Sequence, residues 1–318
     1  MSERVAIIDL GTNTFHLFIV EMDGEKINTL YKEKIAVKIG KNGISKGKIA
    51  QDARKRAIHT LKIFRTVIDL FEVHHIKGVA TSAIRSAKNG EELIAEIKEK
   101  TGIKIEVISG VKEAELIFRG VQAAMEVPET PQLVVDIGGG SVEFVIGTRN
   151  EILWRHSFEI GAQRLLDKFH QEDPIDEKSI LALEKFLTKN LSELIDAIDV
   201  HQPTGLIGCS GTFDTLTEIY LKRAKLERDS EAKNYQFPLP AYELIHQDLL
   251  LKNREERLQI PGMVTMRVDM IVVASCLIRF VLRHMTTEGI TACSYALKEG
   301  LLHSSFEEKL TIGQKVAQ

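Results

Sequence analysis

Along this chain, short runs of β-branched and aromatic residues bounded by glycine or charge alternate with longer stretches in which apolar residues recur at helical spacing. The first kind fits strands and the second amphipathic helices. After an apolar run ending at Asp9, the pattern predicts strands over 15–20 and 26–37, a helix over 49–71, a strand over 76–81, a helix over 91–100, a strand over 103–108 and a helix over 111–125. The helix over 49–71 rests on the stripe Ala50, Ala53, Ala57, Leu61, Phe64, Ile68 and Phe71. After a second run ending at Asp136 the order begins again: strands over 142–147 and 152–158, helices over 162–169 and 177–198, a strand over 206–209, and a helix over 213–225. A long apolar helix over 267–284, a strand over 290–293 and a helix over 297–310 close the series. A repeated β-β-β-α-β-α unit predicts an α/β protein of two related domains facing each other across a central cleft, where the chemistry is expected. The expected domains are 1–125 and 126–296, with the last helix, about 297–318, packing back on the first.

The two starting runs are also alike in chemistry. Residues 5–14 read VAIIDLGTNT and residues 133–141 read LVVDIGGGS: a strand ending in Asp, a Gly-rich turn with hydroxyls, then another strand. Glycines in such a turn reach positive φ and approach a ligand closely, so successive N–H groups and a hydroxyl converge on phosphate oxygens. An Asp facing a phosphate would be repelled unless a divalent cation lay between them, and Mg²⁺ held through water is the expected ion. One strand–Asp–Gly turn is more often a plain hairpin, but two in corresponding places argue for a phosphate site. Other candidates sit at element ends. Glu113 opens a helix after the strand over 103–108, at the end of a strand where open α/β sheets place ligands. Glu143 follows the second turn directly and is expected to alternate outward from its strand. Arg85 lies in the loop after the strand over 76–81, with a planar fork suited to phosphate. Gly208-Cys209-Ser210-Gly211-Thr212 is a third glycine and hydroxyl turn opening a helix, where N–H groups and the helix dipole favour an anion.

At 318 residues, 44% hydrophobic and 27% charged, the chain can bury two cores of ordinary size. It contains no 18-residue uncharged apolar run, and Met1-Ser2-Glu3-Arg4 leads straight into a strand, so neither a membrane span nor a signal peptide is expected. Cysteines at 209, 276 and 293 have no metal-ligand spacing and are expected to be buried thiols in a cytoplasmic protein. The net charge of −3 hides a basic stretch from Lys26 to Arg56, with ten basic residues against two acidic ones, which could attract a polyanion. Nucleic acid is a weaker reading, since aromatics are sparse at 6% and no nucleic-acid module appears. The Gly-x-x-x-x-Gly-Lys loop, the Gly-x-Ser-x-Gly elbow and the His-Glu-x-x-His pair are all absent. His74-His75 reads as a surface feature and His16 as a packed core histidine.

These segments resemble the exopolyphosphatase and guanosine pentaphosphate phosphohydrolase family, within the actin, Hsp70 and sugar-kinase superfamily. The resemblance is carried by Ile8 to Phe15, Val79 to Arg85, Val107 to Gly110, Glu113-Ala114 and Val135 to Glu143. Gly161 to Leu165, Gly208 to Thr212, Arg267 to Asp269 and Leu297 to Leu302 extend it over nearly the whole chain. It implies two RNase H-like domains and hydrolysis of a terminal phosphoanhydride, of inorganic polyphosphate or of guanosine pentaphosphate. By motif, Glu113 would activate the attacking water and Glu143 would assist it or hold the hydration shell of Mg²⁺. Thr12, Asn13, Arg85, Gly138, Gly139, Gly140, Ser141, Ser210 and Gly211 would hold phosphates, while Asp136 and Asp9 would orient the metal waters. Lys112 and Glu115 depart from the acid and the arginine usual around the catalytic glutamate, and Lys298 stands where Arg is usual, which alters the electrostatic surroundings. Longer members append a helical C-terminal domain that the sequence to Gln318 does not include, so distributive action on polymer is expected. The basic stretch favours polyphosphate over the nucleotide, an actin-like ATP-binding or sugar-kinase protein is the alternative of another class, and a homodimer is left open.

Overall fold

Each half of the repeat forms a sheet whose centre is the predicted strand–Asp hairpin. The computed structural model of the protein describes residues 3–24, 26–229 and 231–305. The chain folds as two units, Met1–Glu113 and Ala114–Gln318.

In the first unit, β1 (Glu3–Leu10) pairs antiparallel with β2 (Phe15–Asp23), which pairs with β3 (Lys26–Ile35). Helix α1 (Gln51–Leu70) crosses back, and β4 (His75–Ala80) joins β1 in parallel. A short α2 (Ser82–Arg85), α3 (Gly90–Thr101), β5 (Ile105–Val107) and the start of α4 (Gly110–Ala124) follow, giving the sheet order β3-β2-β1-β4-β5. Buried Ala53, Ala57, Leu61, Phe64 and Ile68 confirm the α1 stripe, so the helix forms because one face is apolar at a 3.6-residue period. Phe64 has no exposed surface, and its truncation to Ala should cost about 3–5 kcal/mol. The edge strand β3 carries lysines and no fully buried residue, a composition that discourages pairing with another sheet.

The second unit repeats the plan with β6 (Gln132–Ile137), β7 (Val142–Gly147) and β8 (Ile152–Phe158). After α5 (Ala162–Phe169), α6 (Glu177–Asn190) and α7 (Ser192–His201), β9 (Gly205–Cys209) adds in parallel to β6. Then come α8 (Ser210–Ala224), β10 (Asn234–Pro238), α9 (Leu239–Leu251), α10 (Arg254–Leu258), α11 (Ile271–Leu282) and β11 (Gly289–Cys293). The sheet order is β8-β7-β6-β9-β11-β10, the order of the first sheet with one extra edge strand. A last helix, α12, covers 297–305, and the remainder of the expected 297–310 helix lies outside the described residues. Gly300 on α12 meets α4 so closely that an added methyl would lie 1.7 Å from the Leu116 carbonyl oxygen. Every residue of β6 and β7 is buried, as is nearly all of α11, which explains their continuous apolar composition.

The expected helix over 177–198 is two helices that meet at Leu191. Strand β10 and helix α9 were not expected. In β10 only Phe237 is buried, so it has no alternating signal, and α9 opens with prolines, which are tolerated in a first turn because its N–H groups have no helical partner. Among the described residues no helix is long and apolar enough to cross a membrane. The three cysteines are free and buried, as expected.

Candidate active site

In the first unit the candidate residues collect beyond the C-terminal ends of β1, β4 and β5. Leu10 is in register with Ala80, whose carbonyl accepts the Ile108 N–H at 3.1 Å, so three chain turns lie side by side. The turn after β1 is closed by the Gly11 N–H donating to the Thr14 carbonyl at 3.1 Å. The Asn13 and Thr12 carbonyls accept from Lys38 N at 2.8 Å and Gly40 N at 3.1 Å. Because C=O and N–H point oppositely across a trans peptide, these bonds turn the Asn13 and Thr14 N–H groups away from the Lys38 segment. Thr12 and Asn13 are themselves buried.

Arg85 lies not in a loop but at the end of α2, because the chain leaving β4 coils immediately, with the Ile84 and Arg85 N–H groups donating to the Thr81 carbonyl. Ser109 begins α4: its Oγ accepts the Lys112 N–H at 3.2 Å and its carbonyl the Glu113 N–H at 2.9 Å. A carboxylate in that first turn is favoured by the helix dipole. Adjacent parallel strands, each followed by a helix, thus bring Arg85 and Glu113 together. Arg85 Nη1 donates to Glu113 Oε2 at 2.7 Å and to the Ile108 carbonyl at 3.2 Å, and Glu113 is only 6% exposed. The guanidinium expected as a phosphate clamp therefore also holds the candidate base. Asp9 is half-buried opposite His16, whose Nε2 lies 3.1 Å from Thr14 Oγ1, so His16 borders the turn rather than filling the core.

The second unit presents the same frame with different side chains. The Gly138, Gly139 and Gly140 carbonyls accept from Ala162, Gln163 and Gly161 N–H groups at 2.9, 2.9 and 3.0 Å. The same reversal directs the Gly139, Gly140 and Ser141 N–H groups away from α5. The closeness leaves no room at Gly161, where a methyl would lie 2.4 Å from the Gly139 carbonyl carbon. Asp136 stands opposite Glu143 across the hairpin. Glu143 is buried rather than directed outward, because both faces of β7 are covered, and it accepts the Ser157 hydroxyl at 2.7 Å.

The expectation of positive φ in the two turns is overturned. Among the described residues the glycines in the left-handed region are Gly24, Gly47, Gly102 and Gly262. The turn glycines serve close packing instead, a methyl on Gly11 or Gly138 falling 3.0 Å from the Thr14 or Ser141 carbonyl oxygen. Among the candidate site residues the one in the left-handed region is Ser210, at φ 67°, since α8 starts directly after β9 with no connecting turn. A non-glycine residue held there costs about 1–3 kcal/mol and persists only where its surroundings fix it. Its hydroxyl donates to Asp136 Oδ2 at 2.7 Å.

Around Asp136 lie residues to which the sequence assigned no role. Burial pushes the Asp136 carboxyl above its ordinary value; the Ser210 hydrogen bond and the charges of Arg267 and Lys298 pull it down, and Asp214 adds to the rise. Burial likewise lowers the Arg267 guanidinium, against the pull of Asp136 and Asp214. Arg267 covers Gly211 so closely that a methyl there would lie 2.3 Å from Nη2. Gly211 thus makes room for a buried cation. The one sequence signal for Arg267 and Lys298 was their place in segments that carried the family resemblance.

Two sheets of RNase H-like order, each with a strand–Asp–turn hairpin, define an α/β protein of the actin, Hsp70 and sugar-kinase fold. A family model, the Ppx/GppA phosphatase family, matches residues 18–309, and the chain belongs to that family. It is similar to an exopolyphosphatase from Cytophaga hutchinsonii at 46% identity and TM-score 0.93, over 96% of this chain and 98% of that one. It is also similar to the PPX-GPPA enzyme of Aquifex aeolicus, at 26% identity and TM-score 0.79, over 96% of this chain and 100% of that one. The protein is therefore a phosphoanhydride hydrolase, which sets it apart from the kinases that share its fold.

Proposed function

We propose that the protein is an exopolyphosphatase: water attacks the terminal phosphorus of inorganic polyphosphate in line, the phosphoanhydride bond breaks, and orthophosphate and a chain shorter by one phosphate leave. The observation that carries this reading is Glu113, a nearly buried carboxylate in the first turn of α4, oriented by Arg85 at 2.7 Å. A carboxylate so held can take the proton of the attacking water. Phosphoryl transfer asks mainly for positioning and charge neutralisation, and the N–H groups of the two turns, with Thr12, Asn13, Arg85 and Ser141, supply donors for phosphate oxygens. The likeness to the Cytophaga exopolyphosphatase turns the reading towards polyphosphate.

Among the described residues no three His, Cys, Asp or Glu side chains are grouped to enclose a metal ion. Mg²⁺ keeps several waters and is usually bound by one or two carboxylates and substrate phosphates. Asp136, Asp9 and Glu143 are the residues that would hold it. When bound, Mg²⁺ neutralises charge on the phosphates. Ser210 holds the Asp136 carboxylate in place, and Arg267 and Lys298 offset the cost of burying it.

Orthophosphate release from polyphosphate, guanosine pentaphosphate and ATP, measured side by side with and without Mg²⁺, tests the proposal. Polyphosphate should be the fastest and all release should need the ion. Faster release from the nucleotide would replace the substrate, and full activity in chelator would remove the metal.

A further inference from the structure

The segment between β3 and α1 is neither a loose connection nor a uniform basic rim. Its apolar residues Val37, Ile39, Ile44 and Ile49 are buried in the core of the first unit. Its backbone is tightly wound, with Lys38, Asn42 and Gly47 at φ 49°, 61° and 63°. At one end it is bonded to the phosphate turn, through Lys38 N to the Asn13 carbonyl and Gly40 N to the Thr12 carbonyl. A methyl on Gly40 would lie 2.5 Å from Thr12 Cγ2. At the other end it is bonded to the chain just beyond Arg85: Lys88 N donates to the Gly47 carbonyl at 2.9 Å, and the Asn89 side chain accepts Ile49 N at 2.8 Å and donates to its carbonyl at 3.0 Å. The segment therefore bridges the two stretches that carry Thr12, Asn13 and Arg85.

Several cations of the basic stretch are already engaged. Arg54 pairs with Glu92 and Glu96, Arg56 binds Asp52 and the carbonyls of Val37 and Lys38, and Lys32 lies over the Phe18 ring. Lys38, Lys41, Lys46, Lys48 and the neighbouring Lys88 are exposed, and among the described residues none of them joins an ion pair. Five uncommitted ammonium groups thus ride on a backbone fixed beside the phosphate turn. A pre-set backbone lowers the ordering cost of binding, and an excess of like charge along one segment draws a polyanion in.

We propose that this segment is a second binding site for inorganic polyphosphate, holding the phosphates that follow the terminal one and setting the preference for long chains. The inference rests on the polyphosphate reading above. The variant K41E/K46E/K48E changes only exposed side chains and avoids the left-handed Lys38. Two measurements apply: KM for a long polyphosphate and for tripolyphosphate across a salt series, and equilibrium binding of the same long polyphosphate in chelator. For the variant, KM and Kd for the long chain should rise at least about tenfold, three exposed charge reversals each costing a fraction of that. The rise for tripolyphosphate should be several-fold smaller, the salt dependence of the long chain should flatten, and the matching Lys→Arg variant should restore both. Long-chain KM, Kd and salt dependence equal to the parent's would overturn the site while leaving the hydrolase reading intact. Lysine-dependent polyphosphate binding by a parent that hydrolyses only the nucleotide would keep the site and overturn the function. A single-stranded RNA of matched charge that competes equally would overturn the assignment to polyphosphate.

Discussion

Asp9 stands opposite His16 in the β1–β2 hairpin, whereas Asp136 stands opposite Glu143 in β6–β7. The backbones around them are nearly the same. In each hairpin the glycine two residues after the Asp packs against a carbonyl, and a second glycine, Gly40 or Gly161, closes on the turn by hydrogen bonds to its carbonyls. The side chains differ throughout. In the first unit the candidate base arrives from another element, Glu113 on α4, while in the second a carboxylate lies across the hairpin and a strained serine, Arg267 and Lys298 gather round the Asp. A repeat preserves what close packing imposes and leaves side chains free to divide the chemistry.

Loss of the base should divide the units most sharply. Glu113→Gln should lower turnover by about 10² to 10⁴ while phosphate affinity persists, the range expected when a general base is lost, and Glu143→Gln should cost less. Steady-state rates decide it: a Glu113→Gln enzyme within tenfold of the parent, or one outlasting Glu143→Gln, reverses the division.

Acid should act on the second unit through His246, which is buried with Nδ1 2.7 Å from Ser275 Oγ. Burial, with Arg279 and Arg283 nearby, lowers its pKa from 6.5 to about 4. The unfolded chain then binds the proton more readily, so the stabilisation is fully present above pH 6.5 and is lost as pH falls towards 4. Its full size is about 3 kcal/mol, since each tenfold change in proton affinity is worth about 1.4 kcal/mol. Asp173 and Asp248, held below the usual carboxylate range by their arginine and lysine partners after offsetting burial, titrate below this window. Urea unfolding followed by Trp154, the only tryptophan in the chain, should show the midpoint falling between pH 6.5 and 5, and a flat midpoint would contradict the buried neutral imidazole.

Asp136→Asn should abolish turnover yet leave thermal stability equal or higher, because it removes a buried charge whose desolvation raises its pKa. A calorimetric melting temperature well below the parent's would mean that Arg267 and Lys298 need the carboxylate more than its burial costs. The finest test is the pair Gly11→Ala and Gly138→Ala. With the same 3.0 Å approach to a carbonyl oxygen in both, their unfolding free energies should drop by similar amounts, about 1 kcal/mol; unequal losses would show that the turns are alike in sequence only.

Much of the fold was legible because burial and turn formation are local. The strands over 142–147 and 152–158 and the helix over 162–169 appear with the predicted bounds, since β-branched runs and a 3.6-residue apolar period report which face of an element is covered. Family membership was legible through the order of many short motifs. Strand β10 escaped because an edge strand with one buried residue has no period to read. Within the candidate site, left-handed backbone was expected at glycines, the residues that adopt it without cost, but falls at Ser210, where strand and helix join directly.

By itself, then, the sequence determined the repeated strand–Asp–turn unit, the two-sheet α/β architecture and the residues at the strand ends, because each follows from spacing within a few turns of chain. Only the tertiary structure decided that Arg85 meets Glu113, that Arg267 covers Gly211, and which lysines remain uncommitted. Those pairings join residues distant in sequence that strand adjacency brings within hydrogen-bond or van der Waals reach, and no local pattern of hydrophobic and polar positions encodes such a distance.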